Sequence, residues 1–272
     1  MKLEATRLLG LVTVAGLLAG AGCSRPQGEG ALTLAGSTSI QPFAEKWAEA
    51  YQAKKPGLHI QVQGGGSTAG IKAAETGTAD IGMCSRELKP AEAGVVTPTV
   101  IARDGETIIV HPSLPVGDLT VEQVRRIYAG EVTNWKEAGG PDLKITVVTR
   151  EIGSGARGAF EDMVMGKDKK IVSSALVQDS QGAVRQMVST TPAAVGYVSH
   201  GVVDASVKGL KLNGVEPNED TILSGKYPLV RPFLFLTKGA PAGKAKEFID
   251  WVLGPDGQAI GRKEGLFPPE AR

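Results

Sequence analysis

The sequence repeats one local arrangement three times: a short strand pattern, a loop rich in glycine and serine, and then a helix pattern. In the first instance, residues 32–34 form the strand, AGSTSIQP forms the loop, and Phe43, Trp47 and Tyr51 recur every four residues after it. That spacing places the three aromatic side chains on one face of a helix. The chain is therefore expected to be built from strand-to-helix units, as in an α/β protein.

The second and third instances follow the same order. Residues 59–63 (HIQVQ) alternate as a strand does, GGGST follows, and a short helix is expected to end near Gly77. Residues 144–148 (KITVV) are rich in β-branched side chains and lead through TREIGSGARG into a helix that starts around AFEDMVMG.

These junctions have the chemistry of anion cradles. Thr38 or Ser39 suits the N-cap of the first helix, and Pro42 suits its first turn. The first turn of a helix carries N–H groups without helical partners, and the dipole is positive there. Glycine lets the backbone approach a ligand, and hydroxyl groups add donors. Arg150, three residues before the third pair of glycines, adds a planar fork of donors, so the three loops together predict an anion site.

The first 23 residues have the pattern of an export signal. Lys2 and Arg7 precede an uncharged apolar run over residues 8–22, which is short for a membrane span and typical of a signal peptide. LAGAGC resembles a bacterial lipoprotein cleavage site, which makes Cys23 the lipidated first residue; an ordinary secretory signal is the alternative. Residues 24–31 (SRPQGEGA) are expected to be a polar tether. The protein is therefore expected outside the cytoplasm, attached to a bacterial membrane.

Charge and composition exclude several classes of partner. The formal net charge is +1, with 30 basic and 29 acidic residues, so nucleic acid is not an expected partner. An anion site must therefore be local. With 42% apolar residues, a chain of this length can form one large domain or two of ordinary size, and a monomer is expected.

Other motifs give weaker functional hypotheses. Residues 153–158 (GSGARG) match the dinucleotide pattern G-x-G-x-x-G, although they lie in the middle of the chain. No P-loop or G-x-S-x-G elbow is present. An exported serine hydrolase stays open as an alternative, but no base and orienting group accompany any serine. The histidines lack metal-ligand spacing, so neither a metal nor a cofactor is expected.

Four single residues are given structural interpretations. Cys84 is expected to be a small buried residue, and Trp135 a packing residue. Arg86 is expected to form a structural ion pair. Glu151 either orients Arg150 or faces solvent, and the sequence leaves both open.

Several segments together resemble the phosphate-binding proteins of bacterial ABC importers: AGSTSIQPFAEKWAEAY, VQGGGSTAGIKAAETGTADIGMCSREL, LTVEQVRRIYAGEVTNWKEAGG, VTREIGSGARGAFEDMV and AVGYVSHGVV. The resemblance implies a type II periplasmic-binding-protein fold, with two α/β domains, a ligand cleft between them and two crossover strands. Residues 32–109 plus 232–272 would form domain 1, and residues 110–231 domain 2. It also implies a receptor without enzymatic activity that delivers inorganic phosphate to a permease and its ATPase.

The resemblance also assigns a binding site, residue by residue. The matching positions are Thr38, Ser39, Ser67, Ser85, Arg150, Ser154, Gly155 and Ala156. Two of them depart from the common pattern. Ala156 replaces a threonine, so a hydroxyl donor is lost. Ser85 replaces an aspartate that in the best-known branch accepts from protonated phosphate and repels sulfate, so receptors for sulfate, molybdate or tungstate stay open as alternatives.

Overall fold

The structure is a computed structural model that describes residues 30–269. The predicted signal peptide, Cys23 and residues 24–29 of the tether lie outside the described residues. Between residues 30 and 269, no helix combines the length and the apolar character needed to cross a bilayer.

Strands and helices alternate along most of the described chain. The strands are β1 Ala31–Gly36, β2 His59–Gly64, β3 Ile81–Cys84, β4 Thr97–Val110, β5 Asp118–Leu119, β6 Thr146–Arg150, β7 Leu176–Gln178, β8 Ala194–Ser199, β9 Lys208–Gly209, β10 Lys211–Leu212 and β11 Val230–Thr237. The α-helices are α1 Gln41–Lys54, α2 Ser67–Thr76, α3 Val121–Tyr128, α4 Gly155–Phe160, α5 Gln181–Thr190, α6 Glu219–Leu223, α7 Gly243–Leu253 and α8 Pro255–Lys263. The predicted α/β class is confirmed.

One continuous sheet runs through the molecule in the order β2-β1-β3-β11-β4-β8-β6-β7, and β9 also pairs with β4. Strand β1 is parallel to β2 and β3, and β6 is parallel to β7 and β8. The long strand β4 connects these two parallel groups, because residues 97–105 pair with β11 and residues 106–110 pair with β8. The junction loops follow β1, β2 and β6, so two lie in one parallel group and one in the other.

Two main hydrophobic cores lie on either side of this connection. The first contains the aromatic side chains of Phe43, Trp47, Tyr51, Phe235 and Phe248. The second contains those of Tyr128, Trp135, Phe160 and Tyr197. Strand β4 supplies Ile101 to the first core and Ile108 to the second. This arrangement is compatible with two domains, and the division at residues 109/110 and 231/232 stays a prediction.

The local predictions are confirmed in most details. Phe43, Trp47 and Tyr51 are all buried on one face of α1. Helix α2 ends at Gly77, which adopts a left-handed conformation with φ 74°. The third strand lies two residues later than expected, since it covers residues 146–150 rather than 144–148.

One capping prediction is wrong. The N-cap of α1 is Ile40, not Thr38 or Ser39, and no side chain caps this helix end. The hydroxyl of Ser37 accepts a hydrogen bond from the N–H of Ser39 at 3.1 Å, so the loop makes its own turn before the helix starts. Pro42 does lie in the first helical turn, as predicted.

Candidate anion-binding site

The first two junctions meet because their strands are adjacent and parallel. The carboxyl ends of parallel strands lie at one edge of a sheet, where the following helices begin. The N–H of Gly66 donates to the carbonyl of Gly36 at 2.9 Å, which joins the two loops directly. The N–H of Ser85, just past the end of β3, donates to Oγ of Ser67 at 3.0 Å. Three chain segments therefore converge at this edge.

Buried serine side chains fill the point of convergence. Oγ of Ser37 donates to Oγ of Ser85 at 2.9 Å, and Oγ of Ser67 lies 3.4 Å from Oγ of Ser85. All three side chains are essentially inaccessible to solvent. Hydroxyl groups rotate, so each can donate or accept as a ligand requires. Ser37 is absent from the sequence prediction, because its closeness to Ser85 arises only from the pairing of β1 with β3.

The third junction approaches the first two from the other parallel group. The N–H of Thr68 donates to the carbonyl of Gly153 at 3.1 Å. A Cβ atom at Gly155 would lie 2.1 Å from Oγ of Ser67 and 2.6 Å from Oγ of Ser85, so only glycine permits this contact. The third loop is therefore packed directly against the serine cluster.

The residues after this contact begin helix α4. Oγ of Ser154 caps the helix by accepting from the N–H of Arg157 at 3.3 Å. Gly155 and Ala156 are in the first turn, where N–H groups have no partner within the helix. The methyl group of Ala156 belongs to the second hydrophobic core. The Ala156 side chain therefore adds packing, and only its backbone is left to serve as a donor.

Arg150 is fully buried at the end of β6 and lacks a partner for one nitrogen. Its Nε and Nη2 each lie 3.0 Å from an oxygen of Glu151, and Nη2 also donates to Oγ1 of Thr38 at 3.0 Å. The carbonyls of Gln178 and Asp179 accept two further bonds. Nη1 has no hydrogen-bond partner among the described residues. An unpaired buried guanidinium nitrogen is costly, so this donor is suited to an external acceptor.

Glu151 orients Arg150, which decides between the two interpretations left open by the sequence. Both carboxylate oxygens contact the guanidinium, while the carboxylate keeps partial access to solvent, with about a third of its side chain exposed. Solvent weakens the neutralising effect of such a carboxylate. Glu151 therefore neutralises the charge of Arg150 only in part.

A second buried arginine, which the sequence analysis missed, lies behind the serines. Nε and Nη2 of Arg231 each lie 2.9 Å from Oδ2 of Asp104. Nη1 lies 2.9 Å from Oε1 of Glu106, at an angle that makes no hydrogen bond. Arg231 also reaches the carbonyl of Ser85 and Oγ of Ser39, both at 3.4 Å. The sequence signal was the presence of charged residues in apolar strands: Asp104 and Glu106 in ARDGETIIV, and Arg231 in LVRPFLFL.

Burial raises the pKa of both carboxyl groups of this cluster. Burial raises the pKa of Glu106 to about 8, although Arg231 acts in the opposite direction. Burial also raises the pKa of Asp104, and Arg231 and Ser199 oppose that effect. Oγ of Ser199 donates to Oδ1 of Asp104 at 2.6 Å, whereas neither oxygen of Glu106 has a hydrogen bond among the described residues. Asp104 is therefore the better-stabilised anion of the two.

The structure places the predicted site residues in different surroundings. Thr38 contacts Arg150, and Ser67, Ser85 and Gly155 form one cluster, whereas Ser39 is turned toward Arg231. Whether these residues bind a ligand stays a prediction. Among residues 30–269, no group of histidine, cysteine and acidic side chains is arranged to hold a metal ion.

Arg86, Trp135 and Cys84 have the structural roles that the sequence predicts. Arg86 forms a two-pronged ion pair with Glu92, at 2.7 and 2.9 Å. Trp135 is fully buried and its indole N–H donates to the carbonyl of Ala193. Cys84 is also buried, and burial raises the pKa of its thiol. These three predictions are confirmed.

The chain is similar to known proteins in sequence. Residues 23–256 match the model of the PBP superfamily domain. The chain is 32% identical to the phosphate-binding protein PstS of Bacillus subtilis, over 88% of this chain and 81% of that protein. It is 30% identical to PstS of Pseudomonas aeruginosa, over 89% and 84%.

Solved structures are similar as well. One is described as a phosphate ABC transporter substrate-binding protein of Clostridium perfringens with bound phosphate. It is 40% identical to this chain, with a TM-score of 0.85, and the match covers 88% of this chain and 100% of that one. An ABC-type phosphate transport receptor of Vibrio cholerae is 39% identical with a TM-score of 0.73, over the same shares. The predicted type II periplasmic-binding-protein fold is thereby confirmed.

Proposed function

Because the chain belongs to the PstS-like phosphate-binding proteins of the PBP superfamily, we propose that it captures inorganic phosphate and hands it to an ABC importer. The family is non-enzymatic, so capture involves no covalent chemistry. The observation that carries the proposal is Arg150, a buried arginine whose Nη1 has no partner among the described residues and which lies against the cradle loops.

The proposed phosphate site combines one cation with many neutral donors. It comprises Thr38, Ser39, Ser67, Ser85, Arg150, Ser154, Gly155 and Ala156, with Ser37 added from the structure. A doubly charged oxyanion loses its hydration on entry and must find replacement donors. Micromolar affinity needs about 8 kcal/mol net. Hydrogen bonds to charged groups contribute roughly 1.5–3 kcal/mol each, so several such bonds provide this affinity after the cost of desolvation.

Capture is proposed to close the cleft between the two parallel groups of strands. The contact of Gly155 with Ser67 and Ser85 joins a loop of proposed domain 2 (residues 110–231) to two segments of proposed domain 1 (32–109 plus 232–272). Closure of this kind completes a donor shell and excludes water. Strands β4 and β11 both contribute residues to the two cores, so the bending is proposed to occur within them.

Export and attachment to a membrane form a separate part of the proposal. Residues 1–22 would direct export, and Cys23 would carry the lipid that keeps the receptor outside the cytoplasm beside its permease and ATPase. Replacing Cys23 with serine should release the protein from the membrane fraction without changing anion affinity. A Cys23→Ser protein that stays in the membrane fraction would contradict the anchoring but not the capture.

The binding proposal is tested by titrating the purified protein with phosphate, sulfate and molybdate, following tryptophan fluorescence and heat. Saturable binding of phosphate, with weaker binding of the other two anions, is expected. An equal or stronger response to sulfate or molybdate would assign the site to another oxyanion, as the uncharged Ser85 allows. No binding of any of the three would refute the proposal.

Two neighbouring glycine variants test the closure step. Gly155→Ala should weaken phosphate binding at least tenfold, because the new methyl group would collide with Ser67 and Ser85. Gly153→Ala is the control, since a Cβ atom there would meet nothing nearer than 3.9 Å. Equal affinities for the two variants would mean that this contact is not part of the bound state.

A further inference from the structure

Glu106 is a buried carboxyl group that the proposed binding of phosphate does not use. It lies on β4 where the strand changes partners from β11 to β8, and its side chain is inaccessible to solvent. Its only close charged contact is Nη1 of Arg231 at 2.9 Å, and neither of its oxygens has a hydrogen bond among the described residues. An ionised carboxylate with so few donors is poorly stabilised.

The groups around Glu106 leave one negative charge in excess when it ionises. Its charged neighbours are Asp104 on the same strand, Arg231 on β11 and, at longer range, Arg150 on β6. The phenol groups of Tyr128, Tyr197 and Tyr227 also face it, from α3, from β8 and from the segment before β11. The phenols are neutral, because burial raises their pKa values. Arg231 alone therefore balances two carboxylates, one of which, Asp104, has its own hydrogen bonds.

This cluster is connected directly to the proposed phosphate site. Arg231 Nη1 lies between Oε1 of Glu106 and the carbonyl of Ser85, and Nη2 reaches Oγ of Ser39. An anion held near Ser85 and Arg150 would repel an ionised Glu106 through the buried interior, where charges interact more strongly than at the surface. Neutralising Glu106 with a proton removes that repulsion.

We propose that Glu106 carries a proton whenever the anion site is occupied, so that capture of the anion is coupled to proton uptake. This inference rests on the proposed function. The proton is bound at a carboxylate oxygen of Glu106 and comes from solvent. Two effects have the same sign: burial raises the pKa of Glu106 to about 8 without a ligand, and a nearby anion raises it further. Affinity is therefore expected to fall as the pH rises above about 8.

The test compares pH profiles of phosphate affinity for the wild type and Glu106→Gln, which has the same shape but cannot ionise. Phosphate itself titrates, and the comparison cancels that contribution. Between about pH 7 and pH 9 the wild-type Kd should rise about tenfold more than that of Glu106→Gln, because uptake of one proton per anion raises Kd about tenfold for each pH unit above the pKa of free Glu106. Glu49→Gln, at an exposed position on α1, is the control and should follow the wild type.

Parallel profiles for the wild type and Glu106→Gln would overturn the inference and leave the proposed function standing. Failure of the wild type to bind phosphate at any pH would instead refute the proposed function. If Glu106→Gln does not fold, the wild type labelled with 13C-glutamate gives a direct measurement. Above pH 9, saturating phosphate should produce the isotope-shifted infrared band of a protonated carboxyl group, and a spectrum without that band would overturn the coupling.

Discussion

Arg150 and Arg231 are both buried next to the same serines, yet their surroundings differ. Arg150 pairs with one partly exposed carboxylate and has a nitrogen without a partner among the described residues. Arg231 lies between two fully buried carboxyl groups, and its contacts with Ser39 and Ser85 are long. One arginine has donor capacity left for a ligand, whereas the other has its charge matched within the protein.

This difference shows that burial of an arginine does not by itself mark a ligand site. The informative quantities are the number of donors without partners and the exposure of the carboxylate that balances the charge. By both measures Arg150 is suited to bind an anion, and Arg231 is suited to hold β4 against β11. The sequence around each residue, TREIG and LVRPF, does not distinguish the two roles.

The largest expected effect is on stability, from Arg231→Met. Removing this arginine leaves the buried carboxylate of Asp104 without a counter-charge, and breaking such a pair costs about 3–5 kcal/mol. Urea unfolding should show a loss of that size. Adding Asp104→Asn and Glu106→Gln to Arg231→Met should restore most of it. A loss below about 1 kcal/mol in the single variant would mean that Arg231 is not the structural member of the pair.

The next effect is a dependence of stability on pH that arises from Glu106 in the Arg231 cluster. The pKa of Glu106 is about 8 in the folded protein, against an ordinary value of 4.5. Its protonated form therefore stabilises the fold below about pH 4.5, and this contribution is lost as the pH rises to about 8. Relative to Glu106→Gln, the wild type should lose roughly 2–4 kcal/mol between pH 5 and pH 8. Parallel stability curves from urea unfolding would show that the pKa of Glu106 is ordinary.

Arg150→Ala should act on binding and leave stability nearly intact. The variant loses a charged, forked donor, so phosphate affinity should fall at least tenfold, which is about 1.4 kcal/mol. Arg150→Lys keeps the charge but not the fork, and should give an intermediate affinity. Arg125→Ala, on the surface of α3, is the control for simple loss of charge. Wild-type affinity in Arg150→Ala would mean that the anion site has been misplaced.

The smallest expected effect concerns selectivity at Ser85. Ser85→Asp should raise the ratio of phosphate to sulfate affinity about three- to tenfold, because a carboxylate accepts from a protonated ligand and repels a fully ionised one. Absolute affinities should fall for both anions, since Gly155 leaves little room beside this side chain. Ser85→Asn matches the size without the charge and should leave the ratio unchanged. An unchanged ratio in Ser85→Asp would place Ser85 out of contact with the ligand.

The sequence predicts the junctions well because they depend on local chemistry. Aromatic residues four apart gave the buried face of α1, and glycine gave the end of α2 at Gly77. The hydroxyls of Thr38 and Ser39 suggested a cap, but the cap forms at Ile40 because Ser37 closes the preceding turn. Local patterns cannot show which of several adjacent hydroxyls will face inward.

The rest depends on contacts between distant segments. Ser37 and Ser85 are 48 residues apart and meet only because β1 pairs with β3. Arg231 and Asp104 are 127 residues apart and meet across β11 and β4. A charged residue inside an apolar strand indicates that a partner exists, but not which one. Arg150 was predicted from its loop, whereas the role of Glu151 and the lack of a partner for Nη1 among residues 30–269 required the structure.

The burial of both guanidinium groups has a consequence for behaviour in salt. Mobile ions screen exposed charges over a Debye length of about 8–10 Å, but they screen buried charges much less. Arg150 and Arg231 are almost completely inaccessible to solvent. Added sodium chloride should therefore change the dissociation rate of the captured anion only slightly. Association begins in open solvent, where the field is screened, so ionic strength should act mainly on how fast the anion arrives and much less on how long it stays.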